Sequence, residues 1–326
     1  MPDPVLYTQA MAAAVIVSVL SALAIGRLRS SAAANGAKLA CALGLVLGLM
    51  AGYRVLNLRF AWPPVNGLDR FLTIVLPGVV GVELLACWPR VPPRVAWCLR
   101  AAVMVSCSRI LLHGSVYLSG LSSQWTTSEA VLWLVASSAI LGLAWWSMYC
   151  LACRSSGTSL LLSIAMSAQA AAIIIMLAGY VTGGAAALPL TAALLGVAIV
   201  ASRYQSSSTT VGALGIGFVG LFGLLFVGRF FGGLTSAQAL TIFLAPLLCW
   251  VTEAPALCRQ HPRHRALLRL LLVAIPLMIV LVLAKRAFDR DTAPLLGASG
   301  YQEQGARVSP ATCSIPFLAA TSWLAV

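Results

Sequence analysis

The sequence predicts an all-α, polytopic transmembrane helical bundle of about ten membrane-spanning helices, and three observations lead there. The 326-residue chain is 60% hydrophobic and only 9% charged, so a water-soluble fold would leave too much apolar surface against solvent. Its apolar residues come in runs close to the roughly 20 residues that a helix needs to cross hydrocarbon. Runs such as 131–151 and 267–284 do not alternate polar and apolar residues as barrel strands do. Inside lipid every backbone N–H and C=O must find a partner within the chain, so these runs are helices.

The spans fall at 5–26, 37–53, 71–88, 95–118, 129–151, 159–181, 186–202, 211–231, 236–256 and 267–285. The first has a rival reading as a signal peptide, because Ala22-Leu23-Ala24 resembles a cleavage site. Its leading residues carry Asp3 and no Lys or Arg, whereas Arg27 and Arg29 follow the run, which favours a retained helix. In the second, Gly44, Gly48 and Gly52 recur every fourth residue, lie on one face and invite a neighbouring backbone to approach. The second and seventh runs are the shortest. The third is interrupted by Leu76-Pro77-Gly78 and Gly81 and carries Glu83; the fourth carries Arg100, Arg109 and His113. The eighth holds Gly212, Gly215, Gly217, Gly220, Gly223 and Gly228, which suit tight helix contact, or else an unwound segment lining a cavity. The first, fifth and tenth are plain anchors.

Two segments are not spans. Residues 54–70 mix Arg54, Arg59, Arg70, Phe60, Trp62 and Pro63-Pro64, a composition that suits the headgroup zone. From residue 286 onward the chain reads as a weakly ordered tail, and its closing apolar stretch, 315–326, is too short to cross. The expected organisation is a transmembrane domain at 1–285, divisible into five-helix halves 5–151 and 159–285, followed by the tail 286–326.

A net charge of +13 would suggest nucleic acid in a soluble protein. Here the basic residues flank apolar runs, so the expected partner is the lipid bilayer and not nucleic acid. With the N-terminus outside, the inner gaps collect Arg27, Arg29 and Lys38, then Arg90 and Arg94, Arg154, Arg203, and Arg259, Arg263 and Arg265. The outer gaps hold fewer, which favours N-out. Lys38 and Lys285 are the only lysines among the basic residues; this arginine bias suggests a GC-rich bacterial genome and hence a bacterial plasma (inner) membrane.

Ionisable residues inside a bilayer are site candidates by default. Glu83 and Arg100 lie equally far from the middle of the short gap between the third and fourth spans. They are therefore level in the membrane and can pair; the sharper reading makes Glu83 a proton carrier. At about 100° per residue, Ser106, Arg109, His113 and Tyr117 share one helix face. That stripe either bonds carbonyls and serines of a neighbour or faces an aqueous cavity holding an anionic substrate. Pro77 marks a helix interruption of the kind that borders binding sites in transporters.

Other signals are weak. Cys258, His261 and His264 have a zinc-like spacing, but Arg259, Arg263 and Arg265 interleave with them and repel a cation, so no metal is expected. Cys150 and Cys153 lack a thioredoxin-like setting, and the nine scattered cysteines give no disulfide framework. No nucleotide or cofactor motif is present, so no cofactor is expected. Transport of a small molecule, anionic or proton-coupled, ranks first. A non-catalytic structural or assembly component of a membrane complex ranks next. A membrane enzyme acting on a lipid-linked substrate, using the 54–70 loop with Asp69 to hold a phosphate headgroup, ranks last.

Overall fold

A computed structural model describes residues 4–28, 33–58, 60, 62–118, 125–155, 157–204, 210–254 and 261–305. Among them ten helices follow one another: α1 (Pro4–Leu28), α2 (Ala33–Val55), α3 (67–86), α4 (Pro93–Leu111) and α5 (Thr127–Arg154) come first. α6 (Gly157–Leu177), α7 (Val181–Tyr204), α8 (Val211–Phe231), α9 (Ser236–Glu253) and α10 (Pro262–Gly305) complete the set. Eight of these are long and apolar enough to cross a membrane. The protein is thus an all-α, multi-pass membrane bundle. The other two, α3 and α4, occupy the third and fourth expected spans; α3 changes winding part-way, and α4 carries Arg94, Arg100 and Arg109. The short second and seventh runs become helices of 23 and 24 residues, because alanines and glycines beside each apolar run continue the turn.

Residues 1–285 form one compact unit and 286–326 a second. Helical backbone continues in the second unit to Gly305. The apolar stretch 315–326 lies outside the described residues.

The centre of the larger unit is α8. Every residue from Gly212 to Gly228 is buried, and the helix touches α2, α3, α4, α5, α6, α7 and α9. Such a position suits glycine, because neighbours can then reach the backbone from all sides. A Cβ at Gly215 would stand 2.7 Å from Glu83 Oε1, and one at Gly220 would stand 3.2 Å from Leu190 Cδ2. The eighth span therefore remains a regular helix, and its glycines serve packing.

On one flank α1, α2 and α7 pack together. The Gly44–Gly48–Gly52 face of α2 makes this contact. A Cβ at Gly44 would fall 2.7 Å from Ala22 Cβ, at Gly48 2.7 Å from the Ala14 carbonyl oxygen, and at Gly52 2.6 Å from Pro189 Cβ. With no water to expel between lipid-borne helices, close packing and dispersion drive such association.

Prolines account for two irregularities. α3 comprises Gly67–Arg70, a π turn at Phe71–Val75, and Leu76–Ala86. Pro77 has no N–H to offer the Thr73 carbonyl, and its ring would crowd that group in an α turn. The π turn relieves this, with the Leu76 N–H donating to the Phe71 carbonyl oxygen. Pro77 is exposed on the outward face of α3, and a Cβ on Gly78 or Gly81 would meet nothing within 4 Å. In α9 the winding tightens to 3₁₀ from Ala245, next to Pro246, which deprives the Ile242 carbonyl of its donor.

A bulky residue at Gly48 must push α1 away from α2. We expect Gly48→Leu to lower stability by about 1–3 kcal/mol. Gly81→Leu, facing open space, should leave the midpoint unchanged in thermal unfolding of the detergent-purified protein.

Candidate functional site

α3 and α4 are antiparallel neighbours joined by the tight connection 87–92, and their charges lie at its two ends. At the closed end Glu83 and Arg100 meet. Arg100 Nε donates to Glu83 Oε1 at 2.7 Å and its Nη2 donates to Oε2 at 2.8 Å, a two-pronged carboxylate–guanidinium pair. Both residues are buried, at 1% and 4% exposure, so each charge depends on the other in a setting of low polarity. Gly215 of α8 leaves the space that the carboxylate occupies.

The guanidinium also lies 5.0 Å from the Trp97 ring centre and 5.3 Å from that of Tyr149, over which its charge is favourably placed. Lys38 of α2, Cys87, and Tyr149 and Cys153 of α5 join the pair around a cleft of about 210 Å³. Among the described residues Glu83 is the one carboxylate lining it, against two cationic side chains.

A second buried charge cluster ties α10 to the bundle. Arg269, 2% exposed, donates to Glu253 through Nη2, to Thr252 Oγ1 through Nε at 2.7 Å, and to Ser159 Oγ through Nη1 at 2.9 Å. Three elements, α9, α10 and the start of α6, converge on one side chain. Nothing in the apolar pattern singles out Arg269, since the tenth run reads as a plain anchor. The signal was available all the same: Glu253 and Arg269 stand almost equally far from the middle of the gap between the ninth and tenth apolar runs, as Glu83 and Arg100 do for the third and fourth.

The proposed polar stripe of the fourth span is divided. α4 ends at Leu111, and Gly114 takes a left-handed conformation with φ +63° just beyond it, a turn that favours glycine. A constant 100° step therefore does not extend to His113 and Tyr117. Arg109 and His113 are exposed and line a cleft of about 560 Å³ with Arg70, at the open end of the α3–α4 hairpin. Tyr117 turns away: its hydroxyl donates to the Phe230 carbonyl oxygen at 3.3 Å, and its ring packs on Trp125 and Phe230. Ser106 is occupied locally, its hydroxyl donating to the Val103 carbonyl oxygen at 3.3 Å. Of the candidate residues, the fold thus joins Glu83 to Arg100 and places Arg109 beside His113. It separates Tyr117 and Pro77 from both clefts.

Against known proteins, the chain matches no family model and no curated protein. Cys258 lies outside the described residues; His261 and His264 have ring centres 6.1 Å apart. Among the described residues no three His, Cys, Asp or Glu side chains gather as metal ligands do. The described cysteines, Cys150 and Cys153 included, are free thiols.

Removing one member of the closed-end pair strands a buried charge. Glu83→Ala and Arg100→Ala should each destabilise the protein by about 3–5 kcal/mol. Glu83→Ala combined with Arg100→Ala should cost far less than the sum. A double-mutant cycle on denaturant unfolding in micelles measures the coupling, and additive losses would contradict the pairing energetics.

Proposed function

We propose that the protein is a carrier for a small anionic solute, coupled to protons through Glu83. The observation that supports this most directly is the Glu83–Arg100 pair at the wall of a cleft in which cationic side chains outnumber carboxylates. While Glu83 is ionised it occupies the Arg100 fork, and a second anion has no place there. A proton on Glu83 releases the fork, and an anionic solute can then bind Arg100 with Lys38 nearby. Loss of the solute and of the proton restores the internal pair. Solute and proton are thereby bound together or not at all, which is the thermodynamic requirement for symport.

The architecture supports the same reading. The α1–α2 and α6–α7 hairpins occupy corresponding places in the two five-helix halves. α2–α7 and α3–α8, each a helix with its counterpart, are in contact. Odd-numbered halves would give inverted topology, and many carriers are built that way. In the favoured orientation the Glu83–Arg100 cleft lies toward the inner side and the Arg109–His113 cleft toward the outer side.

The test is uptake of radiolabelled solute by proteoliposomes under an inward proton gradient, with small carboxylates and inorganic phosphate as probes, because one proton carried with a monovalent anion moves no net charge. Wild-type protein should give solute uptake that grows as the outer solution is acidified. Glu83→Gln should retain solute exchange but lose the pH dependence, and Arg100→Gln should abolish both. Absence of uptake with every probe, as a purely structural membrane component would give, refutes transport. An unchanged pH profile in Glu83→Gln refutes the coupling.

A further inference from the structure

The cleft at the open end of the α3–α4 hairpin has a different chemistry from the closed-end cleft. Two guanidinium groups and an imidazole, Arg70, Arg109 and His113, converge on it from α3 and from the end of α4. Arg70 is held in place, its Nη2 donating to the Val65 carbonyl oxygen at 3.0 Å. Gly114 lets the backbone pass close by, since a Cβ there would stand 3.4 Å from Arg70 Nη2. No carboxylate lines the cleft among the described residues. The nearest in sequence, Asp69, is engaged in capping α3, where its Oδ2 accepts the Asn66 N–H at 3.2 Å. Cations approaching from two walls suit an acceptor with oxygens on several sides, a phosphate group better than a planar carboxylate.

A second observation concerns what is attached to that phosphate. Arg109 also forms the end of an apolar groove between α4 and α5, lined by Met104, Val105, Val131, Leu134 and Val135 and about 560 Å³ in volume. One side chain thus belongs both to a basic cleft and to a long apolar trough. The connection beside the cleft exposes Trp62 at 77% and Val65 at 72%, the kind of surface found at headgroup depth. A ligand that satisfies both features has an anionic phosphate at one end and an acyl chain at the other.

We propose that this is a specific binding site for an anionic phospholipid, with its phosphate held by Arg70, Arg109 and His113 and one acyl chain lying in the α4–α5 groove. The site is independent of the transport reading, because it shares no residue with the Glu83–Arg100 cleft. It places a lipid against the hairpin that carries the ion pair.

Native mass spectrometry on the full chain in neutral detergent tests this, with phosphatidylglycerol, phosphatidylcholine, glycerol 3-phosphate and inorganic phosphate as probes. Phosphatidylglycerol should be retained in preference to phosphatidylcholine. The double variant Arg109→Gln/His113→Gln should retain phosphatidylglycerol at least about tenfold more weakly. Arg90→Gln, which removes one charge at the opposite end of the hairpin, should behave as wild type. Ala139→Leu, which narrows the groove, should weaken the lipid alone. Equal retention of the two lipids, or undiminished retention by the double variant, overturns the proposal. So does displacement of bound glycerol 3-phosphate by inorganic phosphate but not by phosphatidylglycerol, which would mark a site for free phosphates. Thermal unfolding of the double variant shows that any loss is not a folding defect.

Discussion

A helix enclosed on every side must be thin, and the bundle is organised around that constraint. α8 has neither a lipid face nor a water face through most of its length, so its neighbours set what each position can hold. In a bilayer the usual apolar driving force is lost, because lipid tails are as greasy as leucine. What remains is the number of atoms brought into contact, and a glycine-bearing helix lets the surrounding helices come nearest. Gly215 shows the link from packing to chemistry: the missing side chain is what leaves room for the Glu83 carboxylate. The ion pair is therefore a property of three helices, although only two of them carry its charges.

The two buried arginines have a common logic. Each is provided by the helix that follows a short connection, and each meets a glutamate near the end of the helix before it. A hairpin with both charges at the same depth satisfies each without exposing either to lipid. Arg100 adds aromatic faces to its carboxylate, whereas Arg269 adds hydroxyls, Thr252 and Ser159. The first has a cleft beside it and the second joins three helices. The same pairing rule thus gives a pair that walls a cleft at one hairpin and an anchoring contact at the other.

The class of fold was legible because it follows from composition and run length alone. The glycine face of α2 was legible too, since a four-residue repeat needs only a regular helix to be read. The fourth span was misread for the opposite reason. Its stripe assumed that helical phase continues to Tyr117, but Gly114 turns the chain, so His113 stays with Arg109 and Tyr117 does not. Pro77 marked an irregularity correctly in position but not in kind, because proline can be accommodated by widening one turn as well as by breaking the helix. Arg269 was hidden by its surroundings: a charge two residues inside a strongly apolar run resembles an anchor that has begun slightly early. The clefts themselves depend on which helices become neighbours, and no local pattern encodes that.

The widened turn of α3 also fixes direction. A π turn holds one residue more than an α turn, and one residue corresponds to about 100° of rotation around a helix axis. All of α3 after Val75 is set by that added step. With one residue fewer between Phe71 and Val75, the later turns would be rotated by more than a quarter of a circle, and Glu83 would face away from Arg100 and from the gap beside Gly215. The single wide turn at Phe71–Val75 thus works as the phasing element that aims an acidic side chain into the protein and not into the bilayer.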